Sequence, residues 1–406
     1  MGLGPLSSDP SKTSYDVVIV GGAKIGSSIA WFLSHNADFD GSVLVVERDP
    51  SYEWSSTAHT NSCIRQQFSN ELNIRISQFT AEYVNNFREY FDNDPRVPEI
   101  HFDSFGYLYL ADNDAFANSL RQAQQLQQSC GAATQIMSAD EIAEAYPFYY
   151  LDDVILGSHN RVNEGYFDGT TIFDWWRRTA REQGVEYVHN EVVGMTLNPE
   201  GSLVTEVQLQ TGQTVSCGQV INASGPRATR TSEMAGIQLP VEPRKRYTFV
   251  FSAEQPLTRD LPLTIDPSGV YMRSDGSGYL AGCPPDIDPA VDYDDFEFDH
   301  SLWEQKVWPA VARRIPQFEA IKLQNAWVGH YAYNTLDQNA IIGSHDQLSN
   351  FIFANGFSGH GFQQAPAMGR GIAELITHGQ YQTLDLSPFS YSRIPANKPF
   401  LETAVI

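Results

Sequence analysis

The chain has 406 residues, 42% of them hydrophobic, enough to bury a large core in two or three domains, and a disordered main state is excluded. Lys plus Arg number 26 against 49 Asp plus Glu, and the net charge of -23 opposes binding to nucleic acid or to an anionic membrane surface. The cysteines Cys63, Cys130, Cys217 and Cys283 stand far apart without a CxxC pair, so no metal site or disulfide framework is expected and a reducing compartment fits.

The first stretch, MGLGPLSSDPSKTS, has no apolar core and no arginine and reads as a flexible tail over 1–14. No later apolar run approaches about 18 residues, so no transmembrane segment is expected and the cytoplasm is the expected location. YDVVIVGGAKIG then reads as strand, tight turn and helix. A second apolar run over 43–46 ends at Glu47, roughly 20 residues past Gly26, where an acidic residue meets an adenosine ribose. Residues 72–91 have helical spacing, and Pro95 and Pro98 break the pattern at an expected domain crossing. FGYLYLA alternates as a strand, a glutamine-rich helix follows over 115–130, and Ser138 with Glu141 resembles a capping box. A helix over 170–182 and strands over 185–188, 204–209 and 215–223 lead to NASGP and a return to the nucleotide domain. Strands over 247–251 and 269–272 belong to an antiparallel sheet of a second domain, and DYDDFEFD at 292–299 reads as an exposed acidic loop. The chain closes with the strand FIFA, the stretch NGFSGHGF, and a helix from about 367 to 378 that stops at Gly379.

In a dinucleotide turn the first glycine permits the sharp bend and the third lets the helix pack on the strand, roles that Gly21 and Gly26 fill. Ala23 adds a methyl at the second position, which is acceptable if its φ stays negative, and the helix amides still suit a diphosphate. Lys24 has three readings: an ammonium near the pyrophosphate, a solvent-seeking side chain with a packed stem, or a cation reaching toward the far ring system. Arg48, Ser55, Ser56, Thr57 and AHTNSCIRQQFS form a polar stretch in which Arg65, on residue type alone, reads as a solvated cation. Three glycines around His360 in NGFSGHGF let amides approach a planar ligand while the next helix points its positive end at it, an arrangement that suits a flavin. His360 itself reads as a locally hydrogen-bonded histidine before a proton-transfer group.

With GGAKIG, ERD, VINASGP and GFSGHGF in this order, the chain resembles the FAD-dependent D-amino acid oxidase superfamily on its sarcosine and glycine oxidase side. PRKRYTFVF, SGVYMRSDG and WVGHYAYNTLDQNAIIG look most like the branch that includes the FAD-dependent complex I assembly factor of mitochondria. The resemblance implies an α/β fold, with a Rossmann-like FAD-binding domain over 15–98, 163–240 and 335–385. A second α+β substrate domain, built on an antiparallel sheet, would span 99–162 and 241–334, and 386–406 would be a C-terminal tail.

The same resemblance implies that Gly21, Gly22, Ala23, Lys24, Ile25 and Gly26 hold the FAD pyrophosphate. Glu47 and Arg48 would meet the adenosine ribose, and Val192, Ala223, Ser224 and Gly225 the adenosine side. Ser55, Ser56, Thr57, Asn61, Ser62, Cys63 and Ile64 would run along the flavin. Gly356, Phe357, Ser358, Gly359, His360, Gly361, Phe362 and Gln363 would place amides at its pyrimidine ring. Arg65 falls where sarcosine oxidases bind the substrate carboxylate, Tyr271 matches a tyrosine over the substrate, and His330 and Tyr331 reach the flavin.

Gln363 replaces the lysine that activates oxygen in sarcosine oxidases, which leaves O2 and an electron carrier as alternative acceptors. FAD is expected to be noncovalent. The expected reaction is oxidation of a small carboxylate-bearing secondary amine, or a similar amino acid, by hydride transfer to flavin. The imine then hydrolyses, and reoxidation by O2 gives hydrogen peroxide. An assembly or scaffold role with little turnover is the alternative. Arg244, Lys245, Arg246 and Arg273 lie on strands that could line the pocket or be partly solvated.

Overall fold

The computed structural model describes residues 4–403. Five segments become parallel strands in the spatial order Glu186–His189, Val43–Glu47, Ser14–Val20, Thr214–Asn222 and Phe351–Asn355. Val43–Glu47 and Phe351–Asn355 are buried at every position, as strands of a covered parallel sheet are. Ile341–Ser344 extends the sheet antiparallel to Phe351–Asn355. Val192–Leu197 and Val204–Leu209 pair antiparallel beside the first half of Thr214–Asn222.

Three helices, Lys24–Ser34, Gly169–Glu182 and Gly361–His378, pack together on this sheet. The first and last approach so closely that a Cβ on Gly369 would strike Ser28, whose Oγ donates to the Ala365 carbonyl at 2.7 Å. In parallel α/β folds, ligands bind beyond the carboxyl ends of the strands, where helix N-termini gather.

The second sheet has eight strands in the order Ile321–Asn334, Val241–Ala253, Gly278–Cys283, Tyr271–Asp275, Leu263–Ile265, Tyr107–Ala111, Leu156–Asn160 and Gln135–Ser138. The sheet expected to be antiparallel contains one parallel pair, Leu263–Ile265 with Tyr107–Ala111. These two segments lie far apart in sequence, so no local turn dictated their direction. Cys63–Ile64, Gly165–Phe167 and Phe102–Asp103 form a small third sheet, and Arg65 follows directly from it.

Several expected elements differ. The helix expected over 72–91 is Glu71–Asn85, capped by the Asn70 side chain, followed by a 3-10 turn at Glu89–Phe91 whose aromatics still enter the core. The final helix begins at Gly361, six residues earlier than expected, with Pro366 inside it. Proline has no N–H to donate to the carbonyl four positions back, here Phe362, so the helix runs on past Pro366 with one ladder bond missing near its start. Its end at Gly379 is as expected, with φ 72°. The capping box at Ser138 and Glu141 is complete.

The described parts of both expected tails, 4–14 and 386–403, are bound to the body, and 1–3 and 404–406 lie outside the described residues. Ser7 bridges Val188, and the Ser11 amide donates to Glu186 at 2.6 Å. Arg393 and Asp337 form a buried ion pair at 2.7 Å. Glu402, fully buried, accepts hydrogen bonds from Ser69, Asn70 and Asn73. Among the described residues, no helix is long and apolar enough to cross a membrane.

Candidate active site

Strand Ser14–Val20 ends at Gly21, which has φ +99° and no room for a Cβ against the Ala223 carbonyl. A Cβ on Gly26 would run into the Gly21 carbonyl, so this glycine sets how closely the helix meets the turn. Ala23 is the N-cap of Lys24–Ser34 with φ -69°, the negative value that makes its methyl acceptable. Ala23 supplies no side-chain cap; the Lys24 amide donates to the Thr57 hydroxyl at 3.3 Å, and the positive end of the helix faces the cavity, where it suits an anion. Glu47 is buried, and its carboxylate receives the amides of Gly22 and Asp49, each at 2.8 Å. Burial raises its pKa against the lowering effect of these amides.

One cavity runs from this turn to the start of the final helix. At the turn it is lined by Gly21, Ala23, Lys24, Ile25, Glu47 and Arg48. Val192, Ala223, Ser224 and Gly225 line it beside them, and Ser55, Ser56, Thr57, Asn61, Ser62 and Cys63 line it further along. The far end holds Arg65, Tyr271, His330 and Tyr331, closed by Phe357, Ser358, Gly359, His360, Gly361, Phe362 and Gln363. Four expected contacts lie behind the wall. Gly22 binds Glu47, Gly26 packs on Gly21, Ile64 is fully buried in the core, and Gly356 turns the backbone at φ +69°.

At the far end, the helix Gly361–His378 also starts without a side-chain cap, after Gly359 at φ +95°. A Cβ on Gly359 would strike the Tyr331 ring, so the backbone passes the ring at the closest distance glycine allows. Arg65 is buried at 4% exposure, its Nη2 is 3.2 Å from His360 Nε2, and its guanidinium lies 4.3 Å from the Phe68 ring centre. Its solvated reading is therefore overturned. Gln363 Oε1 accepts the Arg65 amide at 2.9 Å, so this residue braces the arginine backbone. Asn61 Nδ2 donates to the Tyr271 hydroxyl at 2.7 Å. Burial raises the pKa of both Tyr271 and Tyr331, and Arg246 and Arg65 oppose it at Tyr331.

The acidic loop is not simply exposed. Tyr293, Asp294 and Phe296 line the cavity, and the loop is held by Lys245 to Asp295 at 2.6 Å and by Arg48 to Asp294 at 3.6 Å. Arg227 also pairs with Asp294. The ring of Phe296 stacks on His330 at 4.2 Å, and His330 Nε2 lies 2.8 Å from the Asp295 carbonyl oxygen. Burial lowers the His330 pKa. Of the four strand cations, Arg246 lines the cavity and stacks on Tyr331 at 4.7 Å. Arg273 instead donates to the Asn61 carbonyl and pairs with Asp275, and Arg244 bridges Glu242 and Asp288. Phe296, Tyr293 and Tyr52 were missed as lining residues, because each reaches the cavity through a loop with no local motif.

Lys24 is 2% exposed, so its solvent-seeking reading fails. Its Nζ donates to the Gly169 carbonyl at 3.0 Å and lies 3.3 Å from the Phe362 ring centre, with Phe167 and Trp176 around it. A Cβ on Gly169 would strike both Phe362 and Nζ, so these three residues interlock where three helix N-termini meet. Burial holds the Lys24 pKa well below its ordinary value, and nearby Asp168 opposes this.

Comparison with known proteins adds an independent line. A family model described as FAD dependent oxidoreductase matches residues 16–375. The chain belongs to this family. FAD is its cofactor and oxidoreduction its chemistry. It is 39% identical over 424 residues to FAD-dependent oxidoreductase domain-containing protein 1 of Xenopus laevis, covering 96% of this chain and 85% of that one. Sarcosine oxidase subunit beta of Arthrobacter sp is 24% identical over 390 residues, covering 94% and 91% of the two chains. The L-proline dehydrogenase from P. horikoshii has a TM-score of 0.82 at 26% identity, covering 95% and 99%. Glycine oxidase from Geobacillus kaustophilus shares the fold with a TM-score of 0.78 at 20% identity, covering 94% and 99%.

The cavity suits the family cofactor on its own chemistry. At its two ends are helix N-termini whose N-cap residues supply no side-chain bond, one for a diphosphate and one for an electron-rich ring edge. Tyr52 Oη, Asn61 Oδ1 and Arg227 Nη1 have no hydrogen-bond partner among the described residues, and all three residues line the cavity. A ligand with many hydroxyl, phosphate and ring heteroatoms would satisfy them.

Proposed function

We propose that this chain oxidises a small secondary amine bearing a carboxylate, such as an N-substituted glycine, with FAD as electron acceptor. The reading is carried by Arg65, a buried guanidinium in the wall of the cavity beside His360. A planar guanidinium matches a carboxylate through two parallel hydrogen bonds. The first-turn amides around Gly21 and Ala23 would hold the FAD diphosphate, Glu47 the ribose, and Gly359 to Gln363 the pyrimidine side. Once bound there, FAD supplies an acceptor for a hydride, that is, two electrons and a proton.

Arg65 would fix the carboxylate and so restrict where the adjacent carbon can lie, the positional contribution to rate. Tyr271 and Tyr331 remain protonated at neutral pH, because burial raises both, and they serve as hydrogen-bonding walls and not as bases. No side-chain base is needed when the amine binds neutral. The imine left after hydride loss takes up water and separates into an amine and an oxo acid. Gln363 is a neutral amide committed to the Arg65 backbone, which supports slow reoxidation by O2 and favours an electron carrier as acceptor. His330 is engaged by Asp295 and Phe296, which supports noncovalent FAD.

The test compares wild type with Arg65→Met on paired amines with and without a carboxylate, using a dye-coupled assay. The carboxylate substrates should lose their advantage in KM in the variant. An unchanged KM for N-methylglycine would remove Arg65 from this role.

A further inference from the structure

Glu164 is fully buried immediately before strand Gly165–Phe167. Its Oε1 receives the Gln66 amide at 2.7 Å and Asn160 Nδ2 at 2.8 Å, and its Oε2 receives Gln67 Nε2 at 3.0 Å. Gln66 and Gln67 directly follow Arg65, and the Gln67 carbonyl accepts Arg65 Nε at 3.3 Å. Ser158 Oγ completes the hold by donating to Gln67 Oε1 at 2.8 Å. The direction of the guanidinium is thus set through a turn whose polar groups converge on one carboxylate.

We propose that Glu164 is a positioning residue of Arg65, and that it takes up a proton from solvent when an anionic carboxylate docks on that arginine. This rests on the carboxylate reading of Arg65. Burial pushes Glu164 up to about 7, while its amide donors and Arg65 favour its charged form. A ligand carboxylate neutralises Arg65 and weakens that support, so Glu164 Oε binds a proton. Tyr107 and Tyr109 face the same arginine from strand Tyr107–Ala111, and burial keeps both protonated. Glu402 acts on Arg65 from the C-terminal segment, and His360 touches it. Glu402 also accepts hydrogen bonds from Ser69, Asn70 and Asn73, and its effect on Arg65 exceeds that of Glu164.

The test is calorimetric titration of the FAD-loaded protein with methoxyacetate, a carboxylate without an amine, in two buffers of different ionisation enthalpy. Above about pH 7, wild type should take up as much as one proton per ligand, and affinity should fall by as much as about tenfold per pH unit. Glu164→Gln should bind with flat pH dependence and no uptake, with the flavin spectrum reporting an intact site. Binding without proton uptake in wild type would overturn the proposal even if the variant fails to fold, as would wild-type uptake in Glu164→Gln. Absence of methoxyacetate binding at every pH would overturn the Arg65 reading itself, and the linkage with it.

Discussion

Replacing Lys24 by methionine tests whether a buried amine sits uncharged where three helices meet. Methionine keeps most of the stem but loses the bond from Nζ to the Gly169 carbonyl, a pH-independent cost of about 1–3 kcal/mol. The pH-dependent part is diagnostic. Burial lowers the pKa of Lys24 in the folded chain below the ordinary 10.5. Above 10.5 the amine is neutral in both states and costs nothing. As pH falls below that value the unfolded chain binds a proton that the folded chain does not. Wild type then loses stability relative to Lys24→Met at about 1.4 kcal/mol per pH unit, until the folded pKa is reached. With an unfolding entropy of about 2.1 cal/mol/K per residue, that slope is about 1.6 °C per pH unit for a chain of 406 residues. Scanning calorimetry of both proteins from pH 10.5 downward should show Tm curves that diverge at this rate, with the variant gaining. Parallel curves would mean that Lys24 stays charged in the fold, and the buried neutral amine would be refuted.

Gly26→Ala should abolish FAD retention, because its Cβ meets backbone at Gly21 that cannot move aside; the flavin content of purified protein checks this. Arg65→Lys keeps the charge but loses the fork, and carboxylate affinity should fall by about 10- to 100-fold, read as KM for N-methylglycine. Arg393→Met leaves Asp337 buried without its ion-pair partner and should destabilise by about 3–5 kcal/mol, seen as a lower midpoint in urea. Lys245→Met frees Asp295 from its 2.6 Å pairing, and FAD release should become faster and less sensitive to salt than in wild type, followed by flavin fluorescence.

The parts of the site that depend on local backbone chemistry were legible in the sequence. Gly21, Gly26 and Glu47 announce their turn because each has a short-range steric or hydrogen-bonding reason to be there. The stretch around Gly359 and His360 did the same, although Pro366 hid the true start of the helix behind it. What was not legible depends on distant pairing. The acidic loop at 292–299 reads as solvated until Lys245, Arg48 and Arg227 are brought around it, and only then do Tyr293 and Phe296 face the cavity. For both Arg65 and Lys24 a water-seeking cation was one reading of the residue type, but Lys24 is buried among Phe167, Trp176 and Phe362 from far along the chain, and Arg65 between its near neighbour Phe68 and the distant His360. Glu164 carried no motif, since its partners Gln66 and Gln67 lie almost a hundred positions earlier.

Anaerobic titration of the FAD-loaded protein with N-methylglycine and longer N-substituted glycines tests the central claim most directly. The visible flavin band should bleach with these compounds and not with matched amines lacking the carboxylate, and should recover slowly in air but quickly with an added electron acceptor. A flavin that stays oxidised across the whole carboxylate-bearing panel would contradict the account.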